Sequence, residues 1–211
     1  MNITLNNIGH KFNNDWVFKD ISSKITVDNP TVILGNNGSG KSTLLQIISG
    51  IIKPSSGILE YSSSLSSEII TQDKLYKTLS ISTPITQLPE AYTLKEAISF
   101  HRQFKGFLPE LKFTEIAQKL QLEKGLDKPI EEYSSGMKQR VKLAFAILSN
   151  VECVFLDEPT SNLDREGITW YKNLITEELS KKNKSFIVCS NKQEEEYFFC
   201  KNEIDVNLFK K

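Results

Sequence analysis

The sequence predicts an α/β fold around a mostly parallel central sheet, with an N-terminal antiparallel β-subdomain and an inserted α-helical subdomain. Three observations carry this expectation. Short apolar runs rich in Val, Ile and Phe alternate with amphipathic helical patterns, the order that builds a parallel sheet. One such run, "TVILG", passes directly into the glycine-rich "GNNGSGKST" and then into a helical pattern. After Pro84 the character changes from strand-like to helical, and the strand pattern returns only at "VECVFLDEP".

Each element follows from its own residues. "ITLNNI", "WVFKDISSKITV" and "TVILG" read as short strands, with Asp28-Asn29-Pro30 turning the chain before the third. From Lys41 onward Leu44, Leu45, Ile47, Ile48 and Ile51 recur at helical spacing until Lys53-Pro54 ends the pattern. "GILEYSS" and "KTLSIST" (77–83) read as strands. "TLKEAISFHRQFKG" (93–106) and "FTEIAQKLQL" (113–122) are amphipathic helices joined by a Gly-Pro-containing loop, so residues of about 85–140 form the helical insert. "MKQRVKLAFAILS" is a helix, "VECVFLDEP" a buried strand, and "REGITWYKNLITEELSKK" a helix. "SFIVCS" and "IDVNLF" are the last two strands. The 211 residues make a single domain with this insert.

Composition removes several classes of function. Lys+Arg and Asp+Glu both number 26. A balanced charge gives no electrostatic grip on nucleic acid or on an anionic membrane surface. The start, "MNITLNNIGHKF", lacks the basic and apolar regions of a secretory signal. No apolar stretch approaches the roughly 20 residues that cross a bilayer. Cys153, Cys189 and Cys200 lack metal-ligand spacing; the first two read as buried free thiols, which fits a reduced cytosolic compartment.

The chemistry starts at Gly35, Asn36, Asn37, Gly38, Ser39, Gly40, Lys41, Ser42 and Thr43. Glycines let backbone N–H groups turn inward around phosphate oxygens, and the following helix adds its positive end. Lys41 reaches the β- and γ-phosphates of a nucleotide, and Ser42 is a ligand for Mg²⁺. A chance match in a chain of this length is on the order of one in a hundred by average residue usage. Such a loop needs a carboxylate for the ion, and "CVFLDEPTSNLD" (153–164) delivers Asp157 to the carboxyl end of a strand, the edge where such sheets place ligands. Glu158 stands next to it as a base for an attacking water. An acidic turn after a strand is the bland reading of that segment, and the phosphate loop upstream outweighs it. Together the pair indicates a P-loop NTPase, a fold with many chemistries. "EYSSGMKQR" (132–140) then offers a second anion site, with Ser134 and Ser135 as N-cap candidates and the N–H of Gly136 beside them. On its own it is a capped helix; beside a complete phosphate loop it reads as a grip on a partner's γ-phosphate.

In order and spacing these motifs resemble those of the ATP-binding cassette (ABC) transporter nucleotide-binding subunits, over nearly the whole chain. "GNNGSGKST" resembles the Walker A motif, "VFLDEP" Walker B, "YSSGMKQR" the signature and "SNLD" (161–164) the D-loop. The resemblance implies a head-to-tail dimer with a second nucleotide-binding subunit, two ATP molecules between the copies, and integral membrane transporter subunits as partners. It implies a cytoplasmic position, peripheral on the inner face of the cell membrane, with no nucleic acid bound. Residue by residue, it makes Lys41 the phosphate ligand, Ser42 and Asp157 the Mg²⁺ ligands and Glu158 the catalytic base. Ser134 and Gly136 would reach the partner's γ-phosphate, and Asp164 would couple the two sites. Phe12 matches the aromatic that stacks on adenine, with an ordinary packed Phe as the competing reading and Trp16 as the second candidate. The compact length resembles the small exporter-type ATPases and leaves no regulatory tail after the last strand.

Three motifs depart from the family pattern. Tyr133, Ser135 and Met137 alter the signature wording, although a serine at 135 is expected to preserve the helix start. Pro84 or Ile85 stands where the Mg²⁺-sensing glutamine is expected, and Gln87, two or three residues late, is its candidate substitute. After "FIVCS" the family has a switch histidine; this chain has Asn191, whose amide can donate to a γ-phosphate but cannot relay a proton. His10 and His101 lie elsewhere, the latter reading as a surface residue. The motifs therefore predict a transporter ATPase, slowed by Asn191. Two alternatives stand beside it: an ATP-binding switch with impaired hydrolysis, and a soluble nucleic-acid-associated ABC ATPase, whose coiled-coil insertion or basic linker is missing here.

Overall fold

A computed structural model describes residues 1–107, 111–123 and 126–210. Strands β1 (Asn2–Phe12) and β2 (Asp15–Ile25) pair antiparallel, and β1 pairs on its other side with β4 (Ser56–Ser62), giving the order β2-β1-β4. The two long strands correct the expectation of short ones. Asn6-Asn7 reads as a strand end, but the chain bulges there, with Asn7 at φ 53°, and β1 continues to Phe12. The true reversal is Asn13-Asn14, where Asn13 takes φ 55°, a conformation asparagine tolerates well in a hairpin turn.

The central sheet runs β5 (Leu79–Ser82), β6 (Cys153–Asp157), β7 (Ser185–Ser190), β3 (Thr31–Leu34), β8 (Asn202–Asp205), in that spatial order and parallel throughout. Because side chains alternate across a strand, each of the three inner strands, β6, β7 and β3, feeds two cores. Ile33, Phe155, Ile187 and Cys189 point to the face covered by the antiparallel sheet and by α1 (Lys41–Ile48), whose Leu44, Leu45, Ile47 and Ile48 are buried there. Val32, Leu34, Val154, Leu156, Phe186 and Val188 belong to the other core. That core is shared with α3 (Leu94–Arg102), α4 (Phe113–Leu120), α5 (Ser135–Ile147) and α6 (Arg165–Ser180). Two short helices, α2 (Leu75–Thr78) and α7 (Glu194–Tyr197), complete the set. A capping box starts α3: Thr93 Oγ1 accepts from Glu96 N, and the Glu96 carboxylate accepts from Thr93 N at 2.8 Å.

Other sequence expectations shift at their edges. "KTLSIST" is not one strand, since Leu75–Thr78 makes a helical turn before β5 begins at Leu79. "IDVNLF" is strand only to Asp205; there the Asp205 carboxylate accepts from Asn207 N at 2.9 Å and caps a 3-10 turn over Val206–Phe209. Pro109 of the expected Gly-Pro loop lies outside the described residues. His101 is half-buried, not the plain surface residue its helical pattern suggests. Its ring lies 4.9 Å from that of Phe107 and 4.8 Å from that of Phe145, and its Nε2 is 2.7 Å from Ser149 Oγ. Burial first, then the charge of Lys105, pushes its pKa down to about 4. Cys153 and Cys189 are buried free thiols, as expected.

One buried ion pair ties α6 to the second core. Lys184 and Glu178 side chains are fully enclosed; Lys184 Nζ meets Glu178 Oε2 at 3.2 Å and donates to Ile147 O at 2.6 Å. Glu178→Ala leaves an enclosed ammonium without its carboxylate. Urea unfolding of that variant is expected to show a loss of about 3–5 kcal/mol.

Candidate functional site

The carboxyl ends of β3, β6 and β7 lie side by side at one edge of the sheet. From β3 the chain enters the glycine-rich loop. Gly35 has φ 154° and an added Cβ there would lie 2.3 Å from Ser39 Oγ; Gly40 has φ 103° and its added Cβ would lie 2.5 Å from Val17 Cγ1. Only glycine fits either place. Gly40 precedes α1 without any side-chain cap, so the first N–H groups of that helix are free for an anion. Lys41 is 6% exposed, and its Nζ donates to Gly35 O at 2.8 Å and Asn36 O at 3.1 Å. An ammonium held only by loop carbonyls is poised to take phosphate oxygens instead. Ser39 Oγ is buried without a partner, and Asn36 N donates to Asn207 Oδ1 at 3.5 Å. Asn37 and Gly38 are exposed and Thr43 half-buried.

Across the edge, Ser42 Oγ donates to Asp157 Oδ2 at 3.1 Å. Burial raises the Asp157 pKa, and Glu158 adds to the rise against the pull of Ser42 and Lys41. A buried carboxylate opposed by its own surroundings fits a cation, and hydroxyl plus carboxylate are the hard oxygen donors that Mg²⁺ takes. Among the described residues no cluster of three or more His, Cys, Asp or Glu could hold a metal by itself. Nucleotide phosphates would have to complete such a site, as they do for Mg²⁺ in phosphoryl-transfer enzymes.

Glu158 has φ 47°, a left-handed conformation that a non-glycine residue adopts only where its neighbours enforce it. Its N–H donates to Cys189 O at 3.0 Å, which fastens it to the end of β7. The next segment carries Asn191, whose Nδ2 donates to Glu158 Oε1 at 2.5 Å. Asn191 Oδ1 is buried with no partner among the described residues. The residue in place of the switch histidine thus holds Glu158 through an amide proton that a carboxamide does not relay.

Phe12, Val17, Asn37, Gly38, Gly40, Lys41, Ser42, Thr43 and Glu158 line one cleft of about 450 Å³. Phe12 is 58% exposed at its rim. Trp16 is not among the lining residues, and Lys19 Nζ sits 4.0 Å from its ring centroid, so its face is already covered. Ser134, Gly136, Asn162 and Asp164 line a different groove, together with Met137 and Arg140. There Ser134 Oγ accepts from Met137 N at 3.2 Å as the N-cap of α5, and Ser135 is the first helical residue, so serine preserves the helix start. Ser134 and Ser135 are exposed. A Cβ on Gly136 would approach Asn162 O to 3.1 Å. Asp164 caps α6, its Oδ1 accepting from Gly167 N at 2.7 Å. Gln87 is not among the residues lining the Lys41 cleft. A turn closed by Thr86 N on Thr83 O at 3.0 Å sends it to a third groove, beside Pro84, Ile85 and Lys142.

Sequence reasoning missed the second ring of contacts. Gln139 of α5, 5% exposed, donates from Nε2 to Pro159 O at 3.0 Å and so links the signature helix to the residue after Glu158. Thr160 Oγ1 donates to Glu196 Oε1 at 2.8 Å. A polar Gln at an inward helical position is the only local signal of the first; the second joins residues 36 positions apart and has none.

Residues 18–161 match the family model described as "ABC transporter". The zinc import ATP-binding protein ZnuC of Hydrogenovibrio crunogenus is 32% identical over 175 residues, 83% of this chain and 67% of that protein. The energy-coupling factor transporter ATP-binding protein EcfA2 of Clostridioides difficile is 31% identical over 222 residues, 98% of this chain and 76% of that one. The chain therefore spans between two thirds and three quarters of these relatives' lengths. In fold it matches the dimeric post-hydrolysis state of an ATP-binding cassette bound to ADP and Pi, with a TM-score of 0.75, 22% identity, and coverage of 93% of this chain and 90% of that one. A matched family model over most of the chain and two relatives above 30% identity lead to one assignment: the chain belongs to the ABC transporter family, as one of its ATPase subunits.

Proposed function

We propose that this chain pairs head to tail with a second nucleotide-binding subunit, closes on ATP, and reopens after hydrolysis to drive integral membrane transporter subunits. One observation carries the reading most directly. The loop of Lys41 and the corner of Ser134 and Gly136 face separate clefts of the same chain, although both are built to meet anions. A second copy turned end for end would bring the two together. The solved cassette named above is itself a dimer.

In this scheme Lys41 and the free N–H groups of α1 hold the triphosphate, and Ser42 and Asp157 hold the magnesium ion, which would neutralise phosphate charge. Glu158 accepts a proton from the attacking water while Asn191 fixes its orientation. Phe12 stacks on the base. Ser134 and Gly136 close on the nucleotide of the other copy, and Asp164, fixed by its capping bond, stands at the same groove. No helix among the described residues is long and apolar enough to cross a membrane, so partner chains would form the pore and hold this subunit peripherally at the inner face. The groove beside Gln87 and the exposed Ile85, Phe100 and Phe104 fit that docking. The names of the two relatives above refer to zinc import and to an energy-coupling factor transporter, and the step common to such systems is the ATP-driven motion.

Cross-linking tests the pairing. In a background with the native cysteines replaced, cysteines at Ser134 and Gly38 are expected to form an inter-chain disulfide with Mg²⁺-ATP when Glu158→Gln blocks turnover. The same variant without nucleotide should stay uncrosslinked. Equal cross-linking in both conditions, or none in either, contradicts the closed dimer.

A further inference from the structure

Glu196 has no part in the scheme above. It is 2% exposed, and no ion pair engages it among the described residues. Its Oε1 accepts from Thr160 Oγ1 at 2.8 Å and from Thr160 N at 3.3 Å, while Oε2 is buried without a partner. Thr160 Oγ1 also lies 3.1 Å from Gln193 Oε1, and Gln193 N donates to Ser190 Oγ at 3.1 Å. From α6, Tyr171 Oη donates to Glu196 O at 2.8 Å. Two segments meet Glu196: Thr160, after β6, binds its carboxylate, and Tyr171 of α6 binds its backbone carbonyl.

The position matters because of what stands on either side. Thr160 is two residues beyond Glu158, and Gln193 two beyond Asn191. Glu158 is held at positive φ, which requires its neighbours to be firmly fixed. Cys189 O and Gln139 hold residues 158 and 159; Glu196 holds residue 160. We propose that Glu196 is a positioning residue for hydrolysis: it ties the Glu158 loop to the Asn191 loop and keeps base and amide in register. The inference rests on Glu158 being the base. Burial raises the Glu196 pKa, with the charge of Glu158 adding to the rise against the hydrogen bonds from Thr160. Acceptance from Thr160 needs only a carbonyl-type oxygen, so glutamine can replace the acid.

The test compares Glu196→Ala, Glu196→Gln and Thr160→Val in the full chain, well below the melting temperature. Hydrogen exchange of residues 157–164 without nucleotide is expected to quicken about tenfold in Glu196→Ala and Thr160→Val, and to stay near wild type in Glu196→Gln. ATPase kcat is expected to fall about tenfold in the first two, with KM and affinity for a non-hydrolysable ATP analogue within about twofold. Should Glu196→Ala fold too poorly to assay, Thr160→Val carries the same comparison. Wild-type exchange rates in these variants overturn the inference, as does fast exchange with unchanged kcat, or a Glu196→Gln variant as impaired as the alanine. A wild-type chain with no ATPase activity would overturn the proposed base instead, and the exchange measurement would still judge the tie.

Discussion

Glu158→Gln is expected to lower the Mg²⁺-dependent ATPase rate by about 10²–10⁴-fold, the range a positioned general base contributes, and to leave ATP affinity nearly unchanged. Glutamine keeps the length of the side chain, and its amide oxygen can still accept from Asn191 Nδ2, so the local geometry survives. What disappears is a group able to take a proton from water. With chemistry blocked and nucleotide still held, the closed dimer should accumulate and elute as such in size-exclusion chromatography with ATP. The wild-type rate is expected to be slow but measurable, since Asn191 orients the base without relaying a proton. If wild type is no faster than the glutamine variant, even with its membrane partner present, the protein is an ATP-binding switch and not a motor.

Lys41→Ala acts one step earlier. The ammonium is buried, and its present partners are two loop carbonyls. A charged hydrogen bond of this kind contributes about 1.5–3 kcal/mol, so ATP affinity should fall about 10- to 100-fold and hydrolysis should become undetectable. Isothermal titration with a non-hydrolysable analogue separates the two effects. Retained affinity in Lys41→Ala would mean that the cleft of Phe12 and Ser42 is not where the triphosphate sits.

The parts of this site that could be read from the sequence are those whose chemistry is written in consecutive residues. Gly35 to Thr43 form a backbone cradle by local conformation alone, and Asp157-Glu158 follow directly from the strand that carries them. Asn191 was legible because it follows "FIVCS" at a strand end. The signals failed where a contact spans the fold. Thr160 and Glu196 meet only because β6 and β7 are neighbours, a pairing that neither segment encodes by itself. His101 sits on a helix whose pattern leaves its neighbours unnamed; only the arrival of Phe107, Phe145 and Ser149 encloses it. Asn6-Asn7 looks like punctuation, yet a bulge absorbs it without ending the strand. Counting along the chain reaches Gln87 two or three residues late, and the turn at Thr83–Thr86 sets it in a groove with Pro84, Ile85 and Lys142.

The order of the sheet has a mechanical consequence. β7 lies between the strand that delivers Glu158 and the strand that leads to Lys41, and it touches both. In the proposed scheme it is a spacer one strand wide, setting the gap between the tool that cuts and the clamp that holds. Deleting a single residue inside Ser185–Ser190 would leave both motifs intact in sequence, yet turn Asn191 toward the opposite side of the sheet and let tool and clamp drift out of alignment.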